Sequence, residues 1–184
     1  MKLTKSNTTA FPQLEEGTYV GRLYSMIYLG TQVSEYQGSE TESQKINVSW
    51  EIPEERLEFK DKDLPRSISK EYTFSFHEKA NFLKDVQIML GRDIEKDEEI
   101  DLKDLLGKTC LISVGTTSGG KAKVTGVAKL MKGQKCGAAE NTPVIFDNDE
   151  NFDPEAFEKL PKFIKEKIVG APEYSELVGD LTME

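Results

Sequence analysis

Histidine is almost absent from this chain: His77 is the only one in 184 residues, and cysteine occurs twice, at Cys110 and Cys136. A nucleophilic Ser/His/Asp or Cys/His set would have to be built on that one imidazole, and no Cys-x-x-Cys is present to begin a zinc site. His77-Glu78-x-x-Asn81 opens like a zinc-protease helix, but Asn81 stands where the second histidine is needed, so His77 is expected to be a capping or surface residue. No apolar run approaches the roughly 20 residues that cross a bilayer. The first residues, MKLTKSNTTAFPQ, lack the apolar stretch of a secretory signal. The expectation is a soluble, cytoplasmic protein that is not an enzyme and uses no metal or cofactor. In that compartment the two thiols are expected to stay reduced, with Cys110 a small core residue of a strand.

Three further motifs fail on their chemistry. Gly115-x4-Gly120-Lys121 has the spacing of a phosphate-binding loop, but Ala122 replaces the magnesium-holding Ser or Thr and a strand pattern follows, so a glycine hairpin turn is expected. Asn47-Val48-Ser49 matches a glycosylation acceptor but lies inside a strand pattern. A nuclease would need a carboxylate cluster for metal; Asp97, Glu98, Glu99 and Asp101 form a loop-like run, as expected of a solvated surface.

The net charge of −9 is unevenly spread: residues 1–137 carry 20 basic and 21 acidic side chains, and residues 138–184 carry 4 and 12. The body is near neutral and the acidity belongs to the end of the chain, the pattern of an acidic interaction tail. The expected organisation is a flexible lead over 1–16 with Phe11 and Leu14 docking, one domain over 17–136, and an acidic extension with short helices over 137–184.

Within the domain, Thr18–Leu29 reads as a strand with Tyr19, Gly21, Leu23, Ser25, Ile27 and Leu29 on one face. Residues 30–44 read as a long connecting loop. Lys45–Ile52 alternates, with Ile46, Val48, Trp50 and Ile52 on one side. The charged span after Pro53 reads as a solvated hairpin extension or loop. Ile68–Phe76 is a third strand, expected to run directly into a helix from His77 that carries Glu78 in its first turn and stops at Gly91. A short helix over Asp101–Leu106 precedes a fourth strand, Lys108–Gly115, burying Cys110, Ile112 and Val114. The fifth, Lys121–Met131, alternates Ala122, Val124, Ala128 and Leu130 against Lys121, Lys123, Thr125, Val127 and Lys129. Ala138–Asn151 reads as a linker with little to bury. Asp153 caps a helix with Pro154 at its first position, Pro161 breaks a helical pair, and the last ten residues are too polar to form a core.

Five strands with the main helix between the third and fourth have the connectivity of an OB-fold, so the expected fold is mainly β with α: a five-stranded OB-fold-like barrel with a C-terminal helical, acidic tail. Arg22, Lys45, Arg66, Lys70, Lys121, Lys123 and Lys129 fall on strands or strand ends near Tyr24, Tyr28, Tyr36, Trp50 and Tyr72. Single-strand binding needs that mixture, because bases stack on rings while cations track phosphates. Trp50, Phe74 and Phe76 share faces with aliphatic residues, which makes the core their expected home even though Trp50 is also a stacking candidate, and Lys70 and Tyr72 are expected to touch DNA.

The stretches GTYVGRLYSMIYLGTQ, WEIPEE, YTFSFHEKANFLKDV, IDLKDLLGKTCLISV and FEKLPKFIKEKIVGAPEY, in consistent order over roughly residues 17–175, resemble a family of tailed-bacteriophage single-stranded-DNA-binding proteins with an OB-like core. The resemblance implies a protein that coats single-stranded DNA in phage replication or recombination, in the host cytoplasm. Leu177, Asp180, Leu181, Met183 and Glu184 are the residues through which the tail would recruit replication partners, and self-association of the chain is compatible with this role. The competing reading is a protein-interaction or virion-assembly module that uses the same scaffold without binding DNA.

Overall fold

The computed structural model describes residues 12–147 and 152–181. Three long strands, β1 (Gly17–Tyr36), β2 (Ser39–Phe59) and β3 (Lys62–Thr73), form an antiparallel meander. The turns between them are two residues long, Gln37-Gly38 and Lys60-Asp61, and all four residues have positive φ, the turn geometry that matches the twist of the flanking strands. Two more antiparallel strands follow, β4 (Thr109–Thr116) and β5 (Ala122–Ala128), and a short β6 (Val144–Phe146) pairs in parallel with β1. The hydrogen-bonded order is β3-β2-β1-β4-β5, so the sheet is open, with β3 and β5 at its edges. Residues 12–14 span those edges: Arg66 of β3 donates to the Pro12 carbonyl, Ala122 N of β5 donates to Gln13 Oε1, and Leu14 is buried in the main core. Leu14 thus docks as its sequence suggested, whereas Phe11 lies outside the described residues.

The stretch expected as a loop over 30–44 is a β-ribbon. Thr31 pairs with Gln44 and the ladder continues to Tyr36 opposite Ser39. Nearly every side chain on this arm is polar and both faces meet solvent, so no hydrophobic alternation marks the strands. The charged span after Pro53 is likewise a hairpin extension, closing at Phe59 opposite Lys62.

Register shifts in β1 between Leu23 and Ser25 and between Tyr28 and Gly30 change which residues share a face. Leu23 and Met26 enter the main core with Ile46, Val48, Trp50, Ile52, Cys110, Ile112 and Val114, while Ile27 and Leu29 enter a second core on the other side. In β5 a register shift opposite Ser113 and Val114 likewise puts Val127 inside with Val124 and leaves Ala128 exposed, correcting the simple alternation. Cys110 and Cys136 are free thiols; burial pushes the Cys110 thiol up to about 12.

Helix α1 (Asn81–Leu90) packs Phe82, Val86 and Met89 into the main core and ends at Gly91, whose left-handed φ of 77° closes the last turn. It starts later than the periodicity indicates, with Ala80 as N-cap and no acid in its first turn. Local bonds hold the chain out of the helix before that: His77 N donates to Ser75 Oγ, Lys79 N to His77 Nδ1, and Ala80 N to the His77 carbonyl. Leu102–Leu105 is a 3-10 turn capped by Asp101, whose side chain accepts from Lys103 N.

The second core is completed by Phe146 of β6, by Phe157 of helix α2 (Pro154–Glu158), by Ile164 and Ile168 of α3 (Lys162–Val169), and by Leu160 between the two helices. Asp153 caps α2 through Glu155 N and Ala156 N, and Pro161 separates the two helices, as their sequence indicates. Residues 144–146 are a strand that buries Phe146, not part of a linker. The chain continues into α4 (Pro172–Leu181), one of the short helices expected of the extension. Its Glu173 carboxylate accepts from Thr31 N at 3.0 Å and Thr31 Oγ1 at 2.6 Å. Close approach there requires Gly30: a Cβ would lie 2.7 Å from that of Ala171, at a φ of +75°.

Burial raises the Glu173 pKa, but the side-chain and backbone hydrogen bonds from Thr31 outweigh it and leave the carboxyl below its ordinary 4.5. A carboxylate depressed in the folded state stabilises above the unfolded pKa, and that contribution disappears as pH falls through the folded value. Protection factors of α4 amides, referred to intrinsic exchange at each pH, should therefore fall as the pH is lowered below the ordinary carboxyl range, before those of the β1–β2 core do; equal protection factors at pH 3 and pH 7 would contradict the anchoring role.

Candidate nucleic-acid interface

Where β3 ends at Thr73 the chain leaves the sheet and forms an irregular ridge, Phe74–Ala80, before α1. One flank of the ridge borders a groove of about 420 Å³ lined by Lys45, Lys70, Tyr72, His77, Lys79 and Phe82. Lys45 Nζ donates to Thr73 Oγ1 at 2.9 Å. Lys79 is exposed and has no ion-pair partner among the described residues. Lys70 sits deeper, 3.0 Å from Asp85 Oδ2 and 4.4 Å above the Tyr72 ring. Tyr72 donates its hydroxyl to the same Asp85 oxygen at 2.7 Å, and burial followed by the Asp85 charge raises its pKa. Asp85 is therefore an internal counter-ion: it holds Tyr72 and offsets Lys70 within the groove.

Trp50 lies in the core, as its aliphatic face implies, whereas Tyr72 and the two phenylalanines depart from expectation. Trp50 is fully buried and Tyr72 is 4% exposed, so neither offers a ring face to a ligand. Phe74 and Phe76, expected in the core, are 37% and 39% exposed. The period-2 pattern continues through them, but β3 ends at Thr73 and only Phe74 N still donates to the Gln44 carbonyl of β2, so alternation no longer assigns Phe76 to a sheet face. Both pack on buried Phe82, at 5.8 and 5.6 Å between ring centroids, and Tyr28 meets Phe74 edge-on at 5.4 Å. Tyr28 is half-buried, and burial together with the nearby Glu173 pushes its hydroxyl up to about 12.

The remaining candidates do not converge on this groove. Arg66 spends its guanidinium on the carbonyls of Pro12 and Arg56. It lies seven residues before Thr73, about 23 Å along the strand. Ala122 also borders Arg66, so the exposed Lys121 and Lys123 on either side of it belong to that end of β3. Lys129 Nζ donates to the Gly91 carbonyl at the end of α1. Arg22 lies 3.4 Å from Glu51 with its side chain 17% exposed. Tyr24 occupies a β1 bulge, half-exposed. Tyr36 is 71% exposed at the arm tip, next to the directly opposed acids Glu35 and Glu40. Leu177 is half-buried in α4; the side chains of Asp180 and Leu181, and all of Met183 and Glu184, lie outside the described residues.

The outer face of β2 is closed by the chain itself. Asn47, Ser49 and Glu51 are buried, and the Glu51 carboxylate accepts from Glu140 N, Asn141 N and Asn141 Nδ2 at 2.8–3.3 Å. Lys167 of α3 pairs with Glu71 of β3. Glu71 also lines the lysine groove, so this ion pair stands at the border of the groove. Sequence reasoning missed Lys79, Phe74, Phe76 and Asp85 here; the signal for the first three was the His77-centred turn signature Ser75-x-His77, which ends the strand.

Among the described residues no group of three His, Cys, Asp or Glu side chains could hold a metal ion, and no helix is long and apolar enough to cross a membrane. No family model matches the sequence, and comparison with curated proteins finds no match.

Proposed function

We propose that the protein binds single-stranded DNA, largely without sequence preference, in the groove between the end of β3 and the start of α1. The observation that carries this reading is the meeting of three lysines, Lys45, Lys70 and Lys79, with the exposed rings of Phe74 and Phe76 on one ridge. Cations follow a phosphate backbone and rings accept bases of any identity, the combination that sequence-tolerant single-strand binding uses. Support for an OB-like barrel comes from the strand order β3-β2-β1-β4-β5, with α1 between β3 and β4. The edge strands β3 and β5 also approach each other across the open seam. Such partly open barrels commonly bind oligonucleotides. The family resemblance supports a non-enzymatic role in coating single strands during phage replication or recombination in the host cytoplasm. In this reading the acidic chain end recruits partner proteins and competes with DNA for the groove.

Anisotropy of a labelled oligo-dT titrated with the protein tests the reading. Binding should weaken steeply with salt, and Lys45→Ala and Lys79→Ala should each lower the log–log salt slope by about 0.7. Asp85→Asn should act in the opposite sense, raising affinity and steepening the slope, because Lys70 loses its counter-ion. No binding at low salt would overturn the proposal.

A further inference from the structure

Phe74 and Phe76 alternate along the ridge with Ser75 and His77. The lysine groove takes Ser75 and His77 in its lining, whereas a separate slot of about 250 Å³ is lined by Phe74, Ser75, Phe76, Ile100 and Leu102. The groove and the slot are therefore separated by a single extended segment of chain. We infer that this slot is a nucleobase-insertion subsite, taking one unpaired base of a strand whose phosphates lie along Lys45 and Lys79; the inference rests on the single-strand reading above.

The occupant follows from the pairing of chemistries. A nucleotide carries an anion and a flat ring on opposite sides of one sugar, and the ridge offers cations on one flank and an apolar, ring-lined cleft on the other. Phe76 is backed by buried Phe82 at 5.6 Å and 28° between ring planes, yet is 39% exposed. A base entering the slot would extend that stack by one ring, on a support already fixed by the core. The slot also limits what can be read. Its one polar side chain is Ser75, whose Oγ accepts from His77 N and has a single O–H left to donate, and no side-chain amide, carboxylate or guanidinium lines it to pair bidentately with a base edge. Insertion is consequently indifferent to base identity. It does require an unpaired base, because a base stacked and paired in a duplex cannot reach a cleft behind the phosphate track.

Equilibrium titrations of the full chain with oligo-dT, oligo-dC, a duplex of the same length, and an oligonucleotide whose central units are abasic test the subsite. Oligo-dT and oligo-dC should bind alike, the duplex weakly, and the abasic strand about tenfold or more less tightly than oligo-dT, the scale of one lost base stack. Phe76→Ala should weaken oligo-dT by a similar factor while leaving abasic binding and the salt slope unchanged. Phe76→Leu, which keeps apolar bulk but not the ring, should lie closer to alanine than to the wild type. Equal affinity of the wild type for abasic and oligo-dT strands would overturn the subsite while leaving single-strand binding in place. So would a Phe76→Ala loss shared equally by both strands. Failure of every strand to bind would remove the single-strand reading and the subsite with it. Displacement of oligo-dT by an apolar peptide, with oligo-dT affinity unaffected by either Phe76→Ala or removal of the central bases, would reassign the slot to a protein partner.

Discussion

Glu51→Ala is expected to cost about 3–5 kcal/mol of stability, the scale of removing one partner from a buried ionic arrangement. Glu51 is fully buried, and its carboxylate is the acceptor for Glu140 N, Asn141 N and Asn141 Nδ2, with Arg22 at 3.4 Å. Alanine removes that acceptor and strands those donors beneath the covering segment, each at about 1–3 kcal/mol if water cannot reach it. Glu51→Gln keeps the shape and one acceptor oxygen but turns an N–H toward donors, so an intermediate loss is expected. Denaturant unfolding gives the magnitude, and amide exchange at Asn141 locates it: the amide should lose protection in Glu51→Ala. A midpoint within experimental error of wild type would show that the carboxylate does not hold residues 140–141 in place.

Trp50→Ala should be comparably damaging, about 3–5 kcal/mol, because it empties the largest fully buried side chain of the main core. Trp50→Phe separates packing from polarity. The indole N–H has no hydrogen-bond partner among the described residues and lies near the weakly accepting Cys110 thiol. Phenylalanine therefore loses volume but also removes an unsatisfied buried donor, and its cost should be well below that of alanine. The same burial predicts that Trp50 emission is blue-shifted and unchanged by oligo-dT, and that Trp50→Phe leaves DNA affinity intact. A large drop in affinity with unchanged stability would return Trp50 to the list of stacking residues.

Trp50 also illustrates why a site is harder to find in sequence than a strand. Ile46, Val48, Trp50 and Ile52 announce a shared face by alternation, and that face is the main core. The opposite face, Asn47, Ser49 and Glu51, carries the polar pattern of a solvated surface, yet all three are buried, Glu51 beneath residues nearly ninety positions later. Phe74 and Phe76 show the converse. Their apolar character continued the strand pattern, but the His77 turn takes them off the sheet and exposes them. Basic residues were individually correct as surface positions in several cases, including Lys121 and Lys123, but their separation along β3 from Lys45 and Lys70 depends on register.

By itself the sequence determined the features whose causes are local. These are the shared apolar face of β2, the alternating burial of β4, the glycine turn between β4 and β5, the stop of α1 at Gly91 and the Asp153–Pro154 start of α2. Dihedral preference, capping bonds and period-2 burial act over a few residues and leave their mark there. Tertiary structure alone decided which way the β1 bulges turn Ile27 and Leu29, that the acidic extension covers β2 instead of trailing from it, and that the phenylalanine ridge lies open beside Lys45 and Lys79. Each depends on what a distant segment places against a face, and alternation specifies which residues share a face but not what will cover it.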